Sequence, residues 1–420
     1  MSEVRRTRGS AGTGEADAGR WQPLLDGAEA DQARDAVAAI AADLAGLELD
    51  PSLYYGHAGV ALLHGYRTRA GDGEALEPTA EHLTAAAEML AEERAPWLAR
   101  GFTGVAFAIA HLADLIETEP DTLPDLDAAI GNVVDRDPWP FHWELMVGLV
   151  GLGVYGLERS ATAAGRAIVE RAAGHLADIA ERSPGAATWR VRGGEYPAEL
   201  LAANPDGFHS LGFAYGAAGA ISFLAAARAS GVAVEPSILA DSVAWMRGLD
   251  RPGHPHRFPA VVAAGSEDDP AMSRGWCAGD LCVGIALVQA GLAAGEAAWV
   301  DHGVEVAAHG ARSGWTTGDL SLCHGAVGHG HTLNRLAQAT GSSELAELAR
   351  SAYRHALGAR TPGTGIGGFE RIARGPRSSD PIFAPSLQLG ATGVALGLLA
   401  AACAVPPEWD RAFLVALPPR

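Results

Sequence analysis

Cys323 and His324 stand side by side in "SLCHGAVGHGHTL", directly before Gly325, in a chain with four cysteines in all. A thiolate beside an imidazole can share one divalent ion, but two donors need a third to hold it. Cys277 qualifies by register. It lies two residues before Gly279, as Cys323 lies two before Gly325, and both glycines open apolar segments. Two thiolates and one imidazole leave a fourth position open, which is the arrangement of a catalytic zinc site. Taken singly, each cysteine also reads as a buried thiol at a helix start, a common fate for free cysteine. The shared register and the adjacent His324 favour the metal. Cys282, one helical turn further in, and Cys403, in a final apolar helix, read as core.

The elements that must position these donors form a repeat. Gly-x-x-Gly followed by an apolar run begins at Gly56, Gly101, Gly148, Gly216, Gly325 and Gly390, with a degenerate copy at Gly279 in which Cys282 replaces the second glycine. The intervals are 45, 47, 68, 63, 46 and 65 residues. The short ones suit two helices plus turns, and the long ones contain Pro- and Gly-rich stretches that read as inserted loops. Amphipathic segments lie between the motifs: Ile168, Val169, Ala172, Leu176 and Ile179 share one face, and a second segment runs from an N-cap at Ser343 to a stop at Gly358. Each repeat is thus an inner helix opened by glycines, then an outer amphipathic one. An open stack of such hairpins needs polar caps. The last copy, "GATGVALGLLAAACAV", is among the most apolar, so the expected fold is all-α, an α/α toroid of about seven inner and seven outer helices.

Composition agrees. The chain has 420 residues, 48% apolar but only 6% aromatic, so its core is built from helix-forming Ala and Leu with Val. A net charge of −19 argues against nucleic acid or an anionic membrane surface as partners. Four cysteines make no disulfide framework in a chain this long, and a cytoplasmic location fits. Residues 1–20 carry no apolar run and read as a disordered tail before a single domain over 21–420; no stretch is apolar and long enough to span a membrane.

"GWCAGD" and "LCHGAVG" resemble the zinc-binding signature of the lanthionine synthetase C-like family, W-C-[YA]-G-D and C-H-G. The likeness runs from about residue 55 to about 400 and includes "GLVGLGVYGLER", "GTGIGGF" and "GATGVALGLLA". It implies a toroid with one zinc held by Cys277, Cys323 and His324. It also implies a cyclase that adds a peptide cysteine thiol to dehydroalanine or dehydrobutyrine in a dehydrated precursor peptide, supplied by a partner dehydratase. The family's proton-transfer residues are altered here. Tyr215 replaces the histidine of an A-H-G motif, with His209 six residues upstream as a possible substitute; Glu144 stands for an aspartate; and Ser273 takes an arginine's place, with Arg274 one step later. Each has a plain alternative: Tyr215 as packing, Glu144 as a paired structural carboxylate, Arg274 as a surface ion-pair residue. A zinc-retaining scaffold that holds peptide without cyclising it is therefore the second reading. A prenyltransferase-like toroid fits less well, because that site uses an Asp ligand and a Cys and His far apart in sequence.

Overall fold

The computed structural model describes residues 20–89, 95–193, 196, 198–263, 275–315, 318–370, 372 and 384–420. Most of the tail expected over 1–20 lies outside them, as does Arg274. Among the described residues, seven helices follow a glycine N-cap: α2 (His57–Arg69), α4 (Phe102–His111), α6 (Leu149–Glu158), α9 (Ala217–Ala229), α11 (Asp280–Ala294), α13 (Ala326–Thr340) and α15 (Ala391–Ala402). They are buried on nearly every side. A second set is buried along one stripe only: α1 (Gly27–Leu44), α3 (Leu76–Met89), α5 (Thr122–Val134), α7 (Ala163–Ile179), α10 (Ile238–Arg247), α12 (Ala297–Arg312) and α14 (Ser343–Gly358). A short α8 (Ala198–Ala203) lies between them in the chain. The cap of α14 is Ser342, whose hydroxyl accepts from Leu345 N, one residue before the serine expected from the sequence.

Each inner helix packs on the next, from α2 through α4, α6, α9, α11, α13 and α15, and α15 returns to α2. The ring is closed, and the fold is the expected α/α toroid. Outer helices α3, α5, α7, α10, α12 and α14 each pack on the inner helix before them, but α15 takes its outer partner from the start of the chain, α1. The inner-then-outer order therefore fails at the last hairpin. Pro406 and Pro407 follow α15, and what comes after them is a short 3-10 helix rather than an outer α-helix.

The second glycine of each motif lets the preceding turn fold back onto the inner helix. A Cβ at Gly59, Gly104, Gly151, Gly219, Gly328 or Gly393 would collide with the carbonyl oxygen of the residue six places earlier.

The chain end turns inward instead, as a 3-10 turn over Glu408–Phe413. Tyr54 Oη donates to Ala412 O at 2.7 Å, Trp276 Nε1 to Phe413 O at 2.8 Å and Gln289 Nε2 to Leu414 O at 2.7 Å, so three hairpins grip it. Its Asp410 is fully buried and accepts from Arg335 Nε at 2.6 Å, with His331 Nε2 2.7 Å away. Burial alone would raise the Asp410 pKa, but Arg335 and His331 outweigh it and hold the carboxyl below its ordinary range.

The inserted loops carry a little sheet, which the sequence reading did not anticipate. β1 (Glu181–Ser183) pairs antiparallel with β2 (Ala186–Thr188), and β3 (His209–Ser210) with β4 (Val261–Val262). Extended backbone crossing a helical surface has no partner in the helices, so neighbouring loop segments pair with each other. No helix among the described residues is long and apolar enough to cross a membrane.

Two substitutions test this frame. Gly328→Val forces a side chain against Leu322 O and is expected to lower stability by about 1–3 kcal/mol in denaturant unfolding. Asp410→Asn strands the Arg335 charge, at a cost of about 3–5 kcal/mol. Because the folded-state pKa of Asp410 is depressed, its contribution is present at neutral pH and is lost as pH falls through that value. The gap between wild type and Asp410→Asn should therefore narrow on acidification.

Candidate metal centre and surrounding site

The turns before six of the inner helices, all but α9, are laced to one another in series. Ala99 N donates to Met146 O at 3.2 Å, Tyr54 N to Ala99 O at 3.2 Å and Gln388 N to Tyr54 O at 3.3 Å. The series continues with Cys323 N to Gln388 O at 3.1 Å and Trp276 N to Cys323 O at 2.7 Å. This girdle places the Cys277 and Cys323 turns side by side. Two glycines permit the approach: a Cβ at Gly275 would strike Cys323 O and His324, and one at Gly212 would strike Cys277 O.

One ligand atom each from Cys277, Cys323 and His324 lies within 4.8 Å of the others. The three donors read from the sequence are thus together, Cys323 buried and the other two half-buried. Cys323 and Cys277 stand close enough for a thiol-to-thiolate hydrogen bond. That bond pushes the Cys277 thiol down to about 6, against burial and with help from His324. The same bond, together with burial, pushes Cys323 well up. One thiolate is therefore easily formed and the second needs a cation, which is the electrostatic demand a divalent metal meets. Behind the imidazole, Asp319 Oδ2 lies 3.2 Å from His324 Nδ1, while its Oδ1 accepts from Ser321 N at 2.9 Å and Ser321 Oγ at 2.7 Å. A carboxylate in this position fixes the ring and raises its basicity, as behind many metal-bound histidines. Donor type, proximity and support all fit zinc.

Asp319 escaped the sequence reading, yet a signal was there. "DPSLYYG" and "DLSLCHG" share Asp-x-Ser-Leu before the glycine, and Asp50 Oδ1 caps its own turn the same way, accepting from Ser52 N at 2.8 Å.

The proposed proton-transfer residues are more dispersed. Tyr215 directly precedes its helix glycine, the place His324 holds in its own turn, and is half-buried with its ring centroid 5.6 Å from that of Tyr196. Tyr196, also unremarked in the sequence, is close enough to feel charge at Glu144 and Cys277; burial first, then these two, raise its phenol pKa. Glu144 is buried, and its Oε2 accepts from Met146 N at 2.6 Å and Val147 N at 3.2 Å, within its own turn. His209 lies on β3 with Nε2 3.1 Å from Glu181 Oε2, beside Arg190. Trp276 is buried against Phe413, with ring centroids 5.1 Å apart, so it packs beneath the metal turn. His331 serves Asp410, and His57 Nδ1 lies 2.8 Å from His82 Nδ1. Cys282 is buried and donates to Gly279 O at 3.0 Å; Cys403 is half-buried at the end of α15.

Metal-free protein is expected to take up one equivalent of Zn²⁺ or Co²⁺. In chelator competition, Cys277→Ala, Cys323→Ala and His324→Ala should each weaken binding by more than the ~10–100-fold typical of a lost supporting residue. Cys282→Ala should leave it unchanged.

Curated proteins give no match. Among solved structures, the chain is similar to a nisin cyclase with a TM-score of 0.73 at 16% identity, covering 92% of this chain and 97% of that one. The family model described as lanthionine synthetase C-like protein matches residues 48–414. With that match spanning the whole ring of glycine-capped helices, the chain belongs to the lanthionine synthetase C-like family.

Proposed function

We propose that this protein is a zinc-dependent peptide cyclase. In this reading it adds a cysteine thiol of a dehydrated ribosomal peptide to a dehydroalanine or dehydrobutyrine of the same peptide, closing a (methyl)lanthionine thioether ring. The observation that carries the proposal is the convergence of Cys277, Cys323 and His324 within 4.8 Å at the mouths of two adjacent inner helices. Family membership and the fold shared with a nisin cyclase support it.

Zinc, when bound, would stabilise the incoming sulfur as a thiolate, which a free thiol of pKa about 8.5 provides only sparingly at neutral pH. The chain's own residues account for the remainder. Cys277, Cys323 and His324 carry two negative charges between them, so a bound dication is neutralised and the added sulfur stays nucleophilic. The N-termini of α11 and α13 lie next to the donors, and their N–H dipoles favour negative charge there. The carbon–sulfur bond forms at the β-carbon as the alkene π pair moves onto the α-carbon and its carbonyl, giving an enolate. A proton must then reach the α-carbon. We assign that step to Tyr215, because it holds in its own turn the place that His324 holds beside the metal, whereas His209 lies on β3 in an inserted loop. A dehydratase would supply the substrate. The free cysteines fit a reducing cytoplasm.

A second reading has its own support. Glu144 accepts backbone hydrogen bonds from its own turn, a structural occupation for a side chain placed at a family proton-transfer position. A protein that keeps the metal but uses Glu144 only as a turn cap would hold peptide as a scaffold without consuming thiol.

Titration of free thiol in a dehydrated peptide separates the two. The cyclase consumes one thiol per ring, Cys323→Ala abolishes the loss, and Tyr215→Phe slows it by about 10²–10⁴-fold while zinc stays bound. Zinc-loaded protein that binds peptide yet leaves every thiol free would establish the scaffold.

A further inference from the structure

Cys323 has a neighbour that the scheme above leaves unused. Gln388 Nε2 points at Cys323 Sγ from 3.6 Å, within reach for an N–H···S hydrogen bond. The other end of the same amide, Oε1, accepts from Tyr55 Oη at 2.8 Å. An amide has two faces of nearly equal shape, and the wrong one would press a carbonyl oxygen against an anionic sulfur. The sulfur settles the choice: a phenol hydroxyl can serve either end of an amide, but a thiolate only accepts, so the NH₂ faces Cys323 and Tyr55 Oη donates to Oε1 and holds the amide there. Gln388 is 6% exposed and Tyr55 3%, so water competes poorly for either bond. The Arg100 guanidinium lies 4.1 Å over the Tyr55 ring and steadies it from outside.

The placement follows from the repeat. Gln388 stands two residues before Gly390, the place Cys323 holds before Gly325, and Tyr55 directly precedes Gly56 as His324 precedes Gly325. The girdle adds a second tie, since Cys323 N donates to Gln388 O at 3.1 Å. Main chain and side chain of Gln388 thus both bind the one residue.

We propose that Gln388, held in place by Tyr55, is a positioning residue for the metal centre that donates a hydrogen bond to the Cys323 sulfur and tunes its bond to the ion. The proposal rests on the metal-binding reading above. A donor at the sulfur draws charge from its lone pair, lowers the cost of gathering two thiolates and an incoming third, and holds Cys323 on the axis of the site. Loss of such support weakens metal binding without removing a ligand.

The test uses the full chain, stripped of metal and titrated at fixed pH with Zn²⁺ against a chelator, then with Co²⁺ to read the sulfur-to-cobalt charge-transfer band. Gln388→Leu should weaken Zn²⁺ binding by roughly 10–100-fold and shift the cobalt band to lower energy, because an unbonded sulfur gives up its electrons more readily. Tyr55→Phe, which keeps the ring and removes the hydroxyl, should move both readouts in the same direction by less. The double variant should match Gln388→Leu, since the two residues act as one unit. Gln388→Leu with wild-type affinity and an unmoved band would overturn the proposal, as would weakened binding with the band unmoved, which is the mark of a packing role. Wild-type protein that binds no Zn²⁺ would remove the metal reading itself. Wild-type binding matched by both variants would leave that reading intact and remove this one alone.

Discussion

The structure depends on a close approach of backbone to backbone. In six of the hairpins the carbonyl of the residue six places back lies where the Cβ of the second motif glycine would be, so the turn is pressed against the first turn of its own inner helix. In those six a side chain would have to displace that carbonyl; the α11 hairpin, which carries Cys282 there, instead enters its helix through Gly279 at φ 106°. Because the turns lie flat, they can reach one another, and the girdle from Met146 to Trp276 becomes possible. The metal donors sit on that girdle. Their spacing is therefore set first by main-chain geometry, and side chains such as Trp276, Asp319 and Gln388 then brace the turns that carry them.

The electrostatics follow from the same placement. Bringing two thiols, an imidazole and the amide ends of α11 and α13 to one point makes a place where one negative charge is easily held and a second is not. The Cys277 and Cys323 thiols are pushed in opposite directions by a single shared hydrogen bond. A cation resolves that conflict. At the other end of the ring a buried charge is resolved internally: Asp410 meets Arg335 and His331, and the chain end is locked into the hollow. One polar cluster is complete within the protein, and the other has the character of a receptor.

Much of this was legible in the sequence because it repeats. Glycine at a fixed interval before apolar runs marks the inner helices, and two cysteines in one register mark the donors, since both signals are local. What escaped depends on contacts across the ring. No local pattern shows that α1 is the outer partner of α15, that the segment after α15 turns inward, or that Gln388 faces Cys323 across a hairpin boundary. Asp319 is intermediate: its Asp-x-Ser pattern is visible once Asp50 is laid beside it, but its service to His324 is not. The proton-transfer residues are the hardest to read, because a phenol near a cavity and a carboxylate capping a turn look alike in sequence whether or not they touch substrate.

The seam between α1 and α15 bears on how the molecule comes to exist. Trp21 Nε1 donates to Ala400 O at 2.8 Å, a contact between residues 379 apart. On the ribosome, α1 emerges with no mate and waits, apolar stripe uncovered, while all the hairpins between it and α15 are made. Closure of this clasp is a late, long-range event of the kind that slows folding. Among the inner helices, α11 and α13 are the last made before α15, so the emerging protein gains its metal-gathering chemistry only shortly before the circle shuts.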